Sequence, residues 1–451
     1  MNKEINNYPS ITEPIESADI LPILKKYILA DGFKFTIDLE KSHDCYIYDS
    51  LNNREILDLF SYFATNALGH NHPDMLGDQH FKKELMIAAL ENPSNSDFYT
   101  KQYAEFLKTF ARVALPAPFK HVFFISGGAL AVENAIKVAM DWKVKKNFKK
   151  GYKEEKGHQV IHFKQAFHGR SGYTLSLTNS KPVQTDYFVK FNWPRVDNPK
   201  IIFPLTEASL KELIGREQQS IEQIKKALKE NKDDICAIII EPIQSEGGDN
   251  HFRGEFLQAL RDIADQEEVM LIFDEVQNGV GLTGKFWAYQ NFNVVPDILS
   301  FGKKMQTCGI IVTSRVDEIE DNCFTVPGRI NSTWGGNLAD MVRATKILQI
   351  IEKDKLVENA HIMGTYLLSK LVELSSNRKI SNVRGRGLQC AFDLPTAQQR
   401  DELIKKALEN NLLILSAGVN SIRVRPALIV EQKHIDDGME ILAASLKQIG
   451  L

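Results

Sequence analysis

Lys303 stands just past the end of the apolar run Ile298-Leu299-Ser300-Phe301-Gly302. In open parallel sheets ligands bind beyond the carboxyl ends of the strands, so a lysine delivered there can face a ligand. Held in a partly dry, cationic place, its amine is favoured in the free form, and a free amine condenses with an aldehyde. Taken alone it reads as one more solvated surface lysine. A second run, Leu271-Ile272-Phe273, ends in Asp274 and Glu275. A carboxylate buried there needs a cation or strong donors as partner; a helix N-cap or a structural ion pair would meet that need equally.

A third strand end, Ile125-Ser126-Gly127-Gly128-Ala129, passes through glycines to a helix expected from near Ala131. Backbone N–H groups at a helix start hold anions, and glycine lets a phosphate come close, although ordinary strand-to-helix turns use the same residues. The fourth, Ile240-Glu241-Pro242-Ile243-Gln244-Ser245-Glu246-Gly247-Gly248, leaves Glu246 open as an acid/base, a gate or a solvating loop charge. One chemistry uses the first three together. Pyridoxal 5′-phosphate wants a helix N-terminus for its phosphate, a carboxylate that keeps its ring nitrogen protonated, and a lysine for its aldehyde.

These residues are presented by an alternation of short apolar runs and longer amphipathic stretches between about residues 120 and 312. That is the signature of an α/β sheet with crossover helices. Strands are expected at Val122–Ile125, Val160–Phe163, Cys236–Ile240, Val269–Phe273, Ile298–Phe301 and Ile310–Val312, apolar on consecutive residues as in sheets covered on both faces. Helices are expected at Ala131–Lys146, Leu210–Asn231 and Gly254–Glu268. Beyond Asn337 come two helices, Leu338–Ile351 and Lys355–Ser375, then strand-like Gln389–Phe392, Leu412–Leu415 and Ile422–Val424. A meander, Phe33–Asp38 and Cys45–Tyr48, must pack outside the main sheet. The division expected is residues 1–75 as an N-terminal segment of a small domain, 76–340 as the large cofactor-binding domain, and 341–451 as the rest of the small domain.

A chain of 451 residues with 43% hydrophobic content can bury a large core. The 55 basic and 58 acidic residues nearly balance, so no electrostatic footprint for nucleic acid or an anionic membrane is expected. Met1–Ser17 is polar where a secretory signal would be basic and then apolar, and no apolar stretch approaches the roughly 20 residues of a membrane span. Five cysteines without a CxxC pair fit reduced thiols in a cytoplasmic protein better than disulfides or a metal site.

Motifs along nearly the whole chain resemble those of the class III aminotransferases: Asn66-Ala67-Leu68-Gly69-His70-Asn71-His72-Pro73, Phe167-His168-Gly169-Arg170, Asp274-Glu275-Val276-Gln277, Pro296-Asp297-Ile298 through Lys303, and Ser332-Thr333-Trp334-Gly335-Gly336-Asn337. The resemblance implies fold type I, a mostly parallel central sheet covered by helices with a smaller α+β domain from both ends of the chain. It implies that Lys303 carries the cofactor and moves the proton, that Asp274 pairs with the ring nitrogen, and that Phe167 and Val276 sandwich the ring. Gln277 would reach the phenolic oxygen, and Gly128 and Ala129 the phosphate. Thr333 would serve the phosphate of the neighbouring subunit, so a homodimer is expected. Arg170 would take a carboxylate remote from the reacting amine, and Arg423 the α-carboxylate of glutamate or 2-oxoglutarate. Glu246 would be the switch that covers Arg423 while an amine donor is bound. His168, His70, Trp334 and Arg425 are read as scaffold.

The phosphate loop is one residue longer than the commoner pattern, Lys304-Met305-Gln306-Thr307-Cys308 follows Lys303 where glycines are usual, and Asn278 replaces threonine. With Gly247-Gly248-Asp249-Asn250-His251-Phe252-Arg253, these features look like the branch that handles lysine, near the 4-aminobutyrate enzymes. The resemblance therefore implies transfer of the ε-amino group of L-lysine to 2-oxoglutarate. Alternatives are 4-aminobutyrate or another ω-amino acid as donor, and, on the same fold, a racemase or aminomutase.

Overall fold

A run such as Ile235-Cys236-Ala237-Ile238-Ile239-Ile240 has no polar face, so it can be a strand only where both of its faces are covered. In the computed structural model, which describes residues 15–451, all of these residues are buried. Each isoleucine fully buried in this way contributes roughly 1.5–3 kcal/mol relative to exposure.

Strands β1 (Ile37–His43), β2 (Tyr46–Asp49) and β3 (Arg54–Asp58) form an antiparallel meander. Next in the chain come β4 (Phe119–Ile125), β5 (Gln159–Phe163), β6 (Arg195–Val196) and β7 (Ile235–Ile240). A small hairpin, β8 (Ile243–Gln244) with β9 (Asn250–His251), precedes β10 (Met270–Asp274), β11 (Ile298–Phe301) and β12 (Cys308–Thr313). The last five are β13 (Ser381–Arg386), β14 (Gln389–Asp393), β15 (Leu412–Leu413), β16 (Leu415–Ala417) and β17 (Ser421–Val424).

The central sheet has seven strands in the order β4-β12-β11-β10-β7-β5-β6, parallel throughout except for β12, which runs antiparallel to both neighbours. Its two faces alternate with period two. Ile238, Ile240, Leu271, Phe273, Leu299 and Phe301 enter one core, while Ile239, Met270, Ile272 and Ile298 enter the other. The helix Gly128–Lys149 packs on β7, β11 and β12, and Gly254–Gln266 packs on β7 and β10. No helix among the described residues is long and apolar enough to cross a membrane.

The structure departs from the expected elements in particular places. The helix expected from Ala131 begins three residues earlier, at Gly128, which brings the glycines into its first turn. The run Leu412–Leu415 is two strands in two sheets: β15 lies parallel to β3, and β16 antiparallel to β17. A continuous apolar run shows no sign of a change of sheet. β13 was hidden because Ser381-Asn382-Val383-Arg384-Gly385-Arg386 is polar, yet Arg384 is buried on the carbonyls of Gly248 and Asp249. The meander strand is shifted from Phe33–Asp38 to Ile37–His43. The first 14 residues of the polar N-terminal stretch lie outside the described residues.

Candidate active site

Asp274 is the last residue of β10, and its register partner on β11 is Ser300. Lys303 follows three residues later, after Gly302, where an added Cβ would meet Cys308 Sγ at 2.7 Å. Lys303 itself has φ +49°, a left-handed conformation uncommon outside glycine and of the kind that concentrates at functional sites. Its pKa is lowered to about 8, first by burial and then by the guanidinium groups of Arg425 and Arg423, with Glu246 and Asp274 opposing. The amine is thereby brought within reach of its free form near neutral pH.

The Asp274 carboxylate is buried and held from two sides. Its Oδ2 lies 2.8 Å from His168 Nδ1, and its Oδ1 accepts from Val276 N–H at 3.1 Å and from Ser300 Oγ at 3.4 Å. A donor to a carboxylate must carry the proton, so the Nδ1 of His168 is protonated. His168 Nε2 is buried with no partner among the described residues. Glu241 accepts from Phe167 N–H at 3.0 Å and Ser245 N–H at 2.9 Å; burial outweighs these bonds and raises its pKa to about 7. It fixes the backbone of Phe167.

Gly128, Ala129, Phe167, Arg170, Asp274, Val276, Gln277 and Lys303 line one cavity of about 450 Å³. All eight were singled out in the sequence. The helix Gly128–Lys149 points its N-terminus into it, with Gly127 at φ +106° just before. A Cβ on Gly128 would come within 2.8 Å of Val276 Cγ1, so glycine keeps the wall thin where helix and β10 loop converge. A free lysine amine, a buried carboxylate and a helix N-terminus on one cavity wall match the three ends of pyridoxal phosphate, so the residues fit this cofactor.

Beside the cavity, Arg423 Nη2 donates to Glu246 Oε2 at 2.7 Å, while Arg423 Nε and Nη1 are buried without partners among the described residues. The Lys181 ammonium donates to the other oxygen, Glu246 Oε1, at 2.8 Å. Burial raises the Glu246 pKa, but Arg423 and Lys181 outweigh it and hold the carboxyl below its ordinary range. The Phe63 ring lies 5.7 Å from Lys303 Nζ and 5.6 Å from the Arg423 guanidinium carbon. It sits in a left-handed turn in which Ser61, Tyr62, Phe63 and Ala64 all have positive φ. Gln277 Oε1 accepts from Arg425 at 2.8 Å, and Arg425 is paired with Asp249.

Arg170 is exposed at the cavity and has no carboxylate partner among the described residues. Thr333 is exposed and does not line the cavity; its carbonyl accepts from Ser96 Oγ at 3.3 Å. Lys181, Phe63 and Glu241 were not picked out as functional from the sequence. Glu241 sat in a quoted strand end, but the other two follow no apolar run and gave no signal. His168, read as scaffold, is the partner of Asp274.

A separate cluster brings ligand atoms of Asp44, Cys45 and His434 within 4.8 Å of one another. His434 Nδ1 accepts from Glu431 N–H at 3.1 Å, which puts the proton of the neutral ring on Nε2, facing Asp44 at 3.1 Å. A protonated nitrogen does not ligate.

The family model for class-III aminotransferases matches residues 28–446. An L-lysine-epsilon aminotransferase from Mycobacterium tuberculosis is 47% identical over 426 residues, covering 94% of each chain. One from Amycolatopsis lactamdurans is 43% identical over 443 residues, covering 96% of this chain and 97% of that relative. The solved structure of a lysine aminotransferase from M. tuberculosis, in the internal aldimine form, superposes with a TM-score of 0.94 at 46% identity, covering 96% of this chain and all of that one.

Proposed function

Because the chain belongs to the class III aminotransferases, enzymes that work with pyridoxal 5′-phosphate, we propose that it transfers the ε-amino group of L-lysine to 2-oxoglutarate, giving 2-aminoadipate 6-semialdehyde and L-glutamate. The observation that carries this reading is the Glu246–Arg423 pair beside Lys303, with two Arg423 nitrogens left unpaired among the described residues. One pocket has to accept the neutral ω-carbon chain of a donor, whose reacting carbon bears no carboxylate, and then the α-carboxylate of an acceptor, and a cation that can be covered and uncovered serves both. The lysine aminotransferases among the relatives support lysine as the donor.

When bound, the cofactor supplies an electron sink for the negative charge that develops at the carbon bearing the amine. Lys303 Nζ would hold and move the proton released from that carbon. The Asp274 carboxylate, ordered by His168 and Ser300, would hold the proton on the ring nitrogen. Phe167 and Val276 would pack against the ring, Gln277 would donate to its phenolic oxygen, and the backbone N–H groups of Gly128 and Ala129 would hold its phosphate, as their place on one cavity wall supports. Arg170 binds the α-carboxylate of lysine with its planar fork. Glu246 neutralises Arg423 during the donor half-reaction and releases it to the acceptor in the other. Thr333 serves the phosphate of a neighbouring subunit in a homodimer, supported by its position away from the cavity of its own chain. We further take 1–75 with 341–451 as the small domain and 76–340 as the large one, supported by the pairing of β15 with β3. A cytoplasmic location accords with the five free thiols.

The test is a panel of lysine, ornithine and 4-aminobutyrate on the purified holoenzyme, read as conversion of the bound cofactor to its amine form. Lysine should convert it fastest. Faster conversion by 4-aminobutyrate would replace the donor, and turnover independent of any oxo acid would point to a racemase or aminomutase.

A further inference from the structure

Glu246 has a different cation on each of its oxygens. Oε2 is bonded to Arg423 at 2.7 Å and Oε1 to Lys181 at 2.8 Å. The two partners have unlike surroundings. The Arg423 side chain is 2% exposed, whereas Lys181 is 37% exposed and reaches in from the loop before the short turn Pro182–Gln184.

A carboxylate that is 11% exposed cannot leave its only counter-charge without a large desolvation cost. A gate built on Glu246 and Arg423 alone would therefore be held shut. With a second cation on the opposite oxygen, the contact to Arg423 can break while one charge-assisted hydrogen bond persists. The four-carbon stem of lysine can follow the carboxylate as it moves, and the partial exposure of Lys181 keeps its ammonium hydrated on either side of the motion.

We propose that Lys181 is the pivot of the gate: a positioning residue that keeps Glu246 by Oε1 while Oε2 releases Arg423 to the α-carboxylate of the acceptor. The proposal rests on the reading of Glu246 as a gate given above. Arg423 Nε and Nη1 already lack partners among the described residues, so an incoming carboxylate has donors waiting and displaces only the Oε2 contact. Lys181 thus acts on the acceptor half-reaction through Glu246 and has no part in recognising the donor.

The experiment measures the two half-reactions of the holoenzyme separately, for Lys181→Met, Lys181→Ala and Lys181→Arg, each alone and combined with Glu246→Ala. Loss of the ammonium should raise the KM for 2-oxoglutarate roughly five- to tenfold, with the lysine half-reaction changed less than about twofold. Lys181→Arg should restore the acceptor KM, and Lys181→Met should add nothing in the Glu246→Ala background. A fall in the acceptor KM would make Lys181 a latch on the shut state and overturn the proposal. An unchanged KM would overturn it too, as would a rise that persists without Glu246, which would mean that Lys181 touches the acceptor directly. If Glu246→Ala alone leaves donor and acceptor preferences as they were, the gate reading itself has failed, a result distinct from failure of the pivot. The melting temperatures of the Met and Ala variants separate a folding defect from these outcomes.

Discussion

At the scale of single residues, the site works by setting proton positions. Lys303 has its pKa lowered to about 8 by burial and by Arg425 and Arg423. A lowered lysine pKa means that the free amine gains as pH rises, so at pH 7 about a tenth of the apoenzyme holds Lys303 ready to react. Capture of added pyridoxal phosphate by apoenzyme should rise about tenfold per pH unit below this point and level off above about 8; a capture rate still climbing through pH 10 would mean an ordinary lysine. The carboxylate of Asp274, ordered by His168 at 2.8 Å, has the complementary task in the proposed mechanism. Asp274→Ala should weaken cofactor retention and raise the barrier to proton removal by about 3 kcal/mol, the size of effect that preorganised electrostatic partners supply. Single-turnover rates with lysine would check it, and unchanged turnover would remove Asp274 from the mechanism.

At the scale of elements, what places these groups is the registry of neighbouring strands and the closeness of the packing around them. β10 and β11 pair in parallel with Asp274 opposite Ser300, so the loops beyond them necessarily open on one side. The long helix Leu356–Ser376 lies on β13 and β14 so closely that a Cβ on Gly364 would stand 2.1 Å from the Gly387 carbonyl carbon. On helix propensity alone, Gly364→Ala would stabilise by about 1 kcal/mol. The contact is with backbone, which cannot swing aside, so overpacking should prevail and the variant should lose about 1–3 kcal/mol in denaturant unfolding. A gain in stability would show that the helix can shift away from the β13–β14 turn.

At the scale of the molecule, the cavity of one chain brings together seven of the residues expected around the cofactor, with Arg170, but not Thr333. If Thr333 completes the site of a neighbouring subunit, Thr333→Ala should raise the cofactor Kd. Mixing Lys303→Ala with Thr333→Ala protein should restore activity that neither has at limiting cofactor, because one of the two sites in a mixed dimer then has both residues intact. Absence of complementation after verified subunit exchange would place Thr333 in its own subunit's structure instead.

The sequence alone determined the strand-end chemistry and most of the central sheet, because consecutive buried aliphatics and period-3.6 helices are local patterns that burial on two faces imposes. Lys303, Asp274 and the glycine loop were legible there because each stands at the end of such a run, whereas Phe167 was reached through the Phe167-His168-Gly169-Arg170 motif of the family resemblance. Only the tertiary structure decided how charges from distant segments pair: Lys181 with Glu246, His168 with Asp274, Arg384 with the carbonyls of Gly248 and Asp249. It also decided the turn at Ser61–Ala64 that sets Phe63 beside Lys303, and the change of sheet between Leu413 and Leu415. The reason is physical: a polar residue's partner is chosen by the desolvation it must offset where the chain brings it, and nothing in its sequence neighbours carries that information.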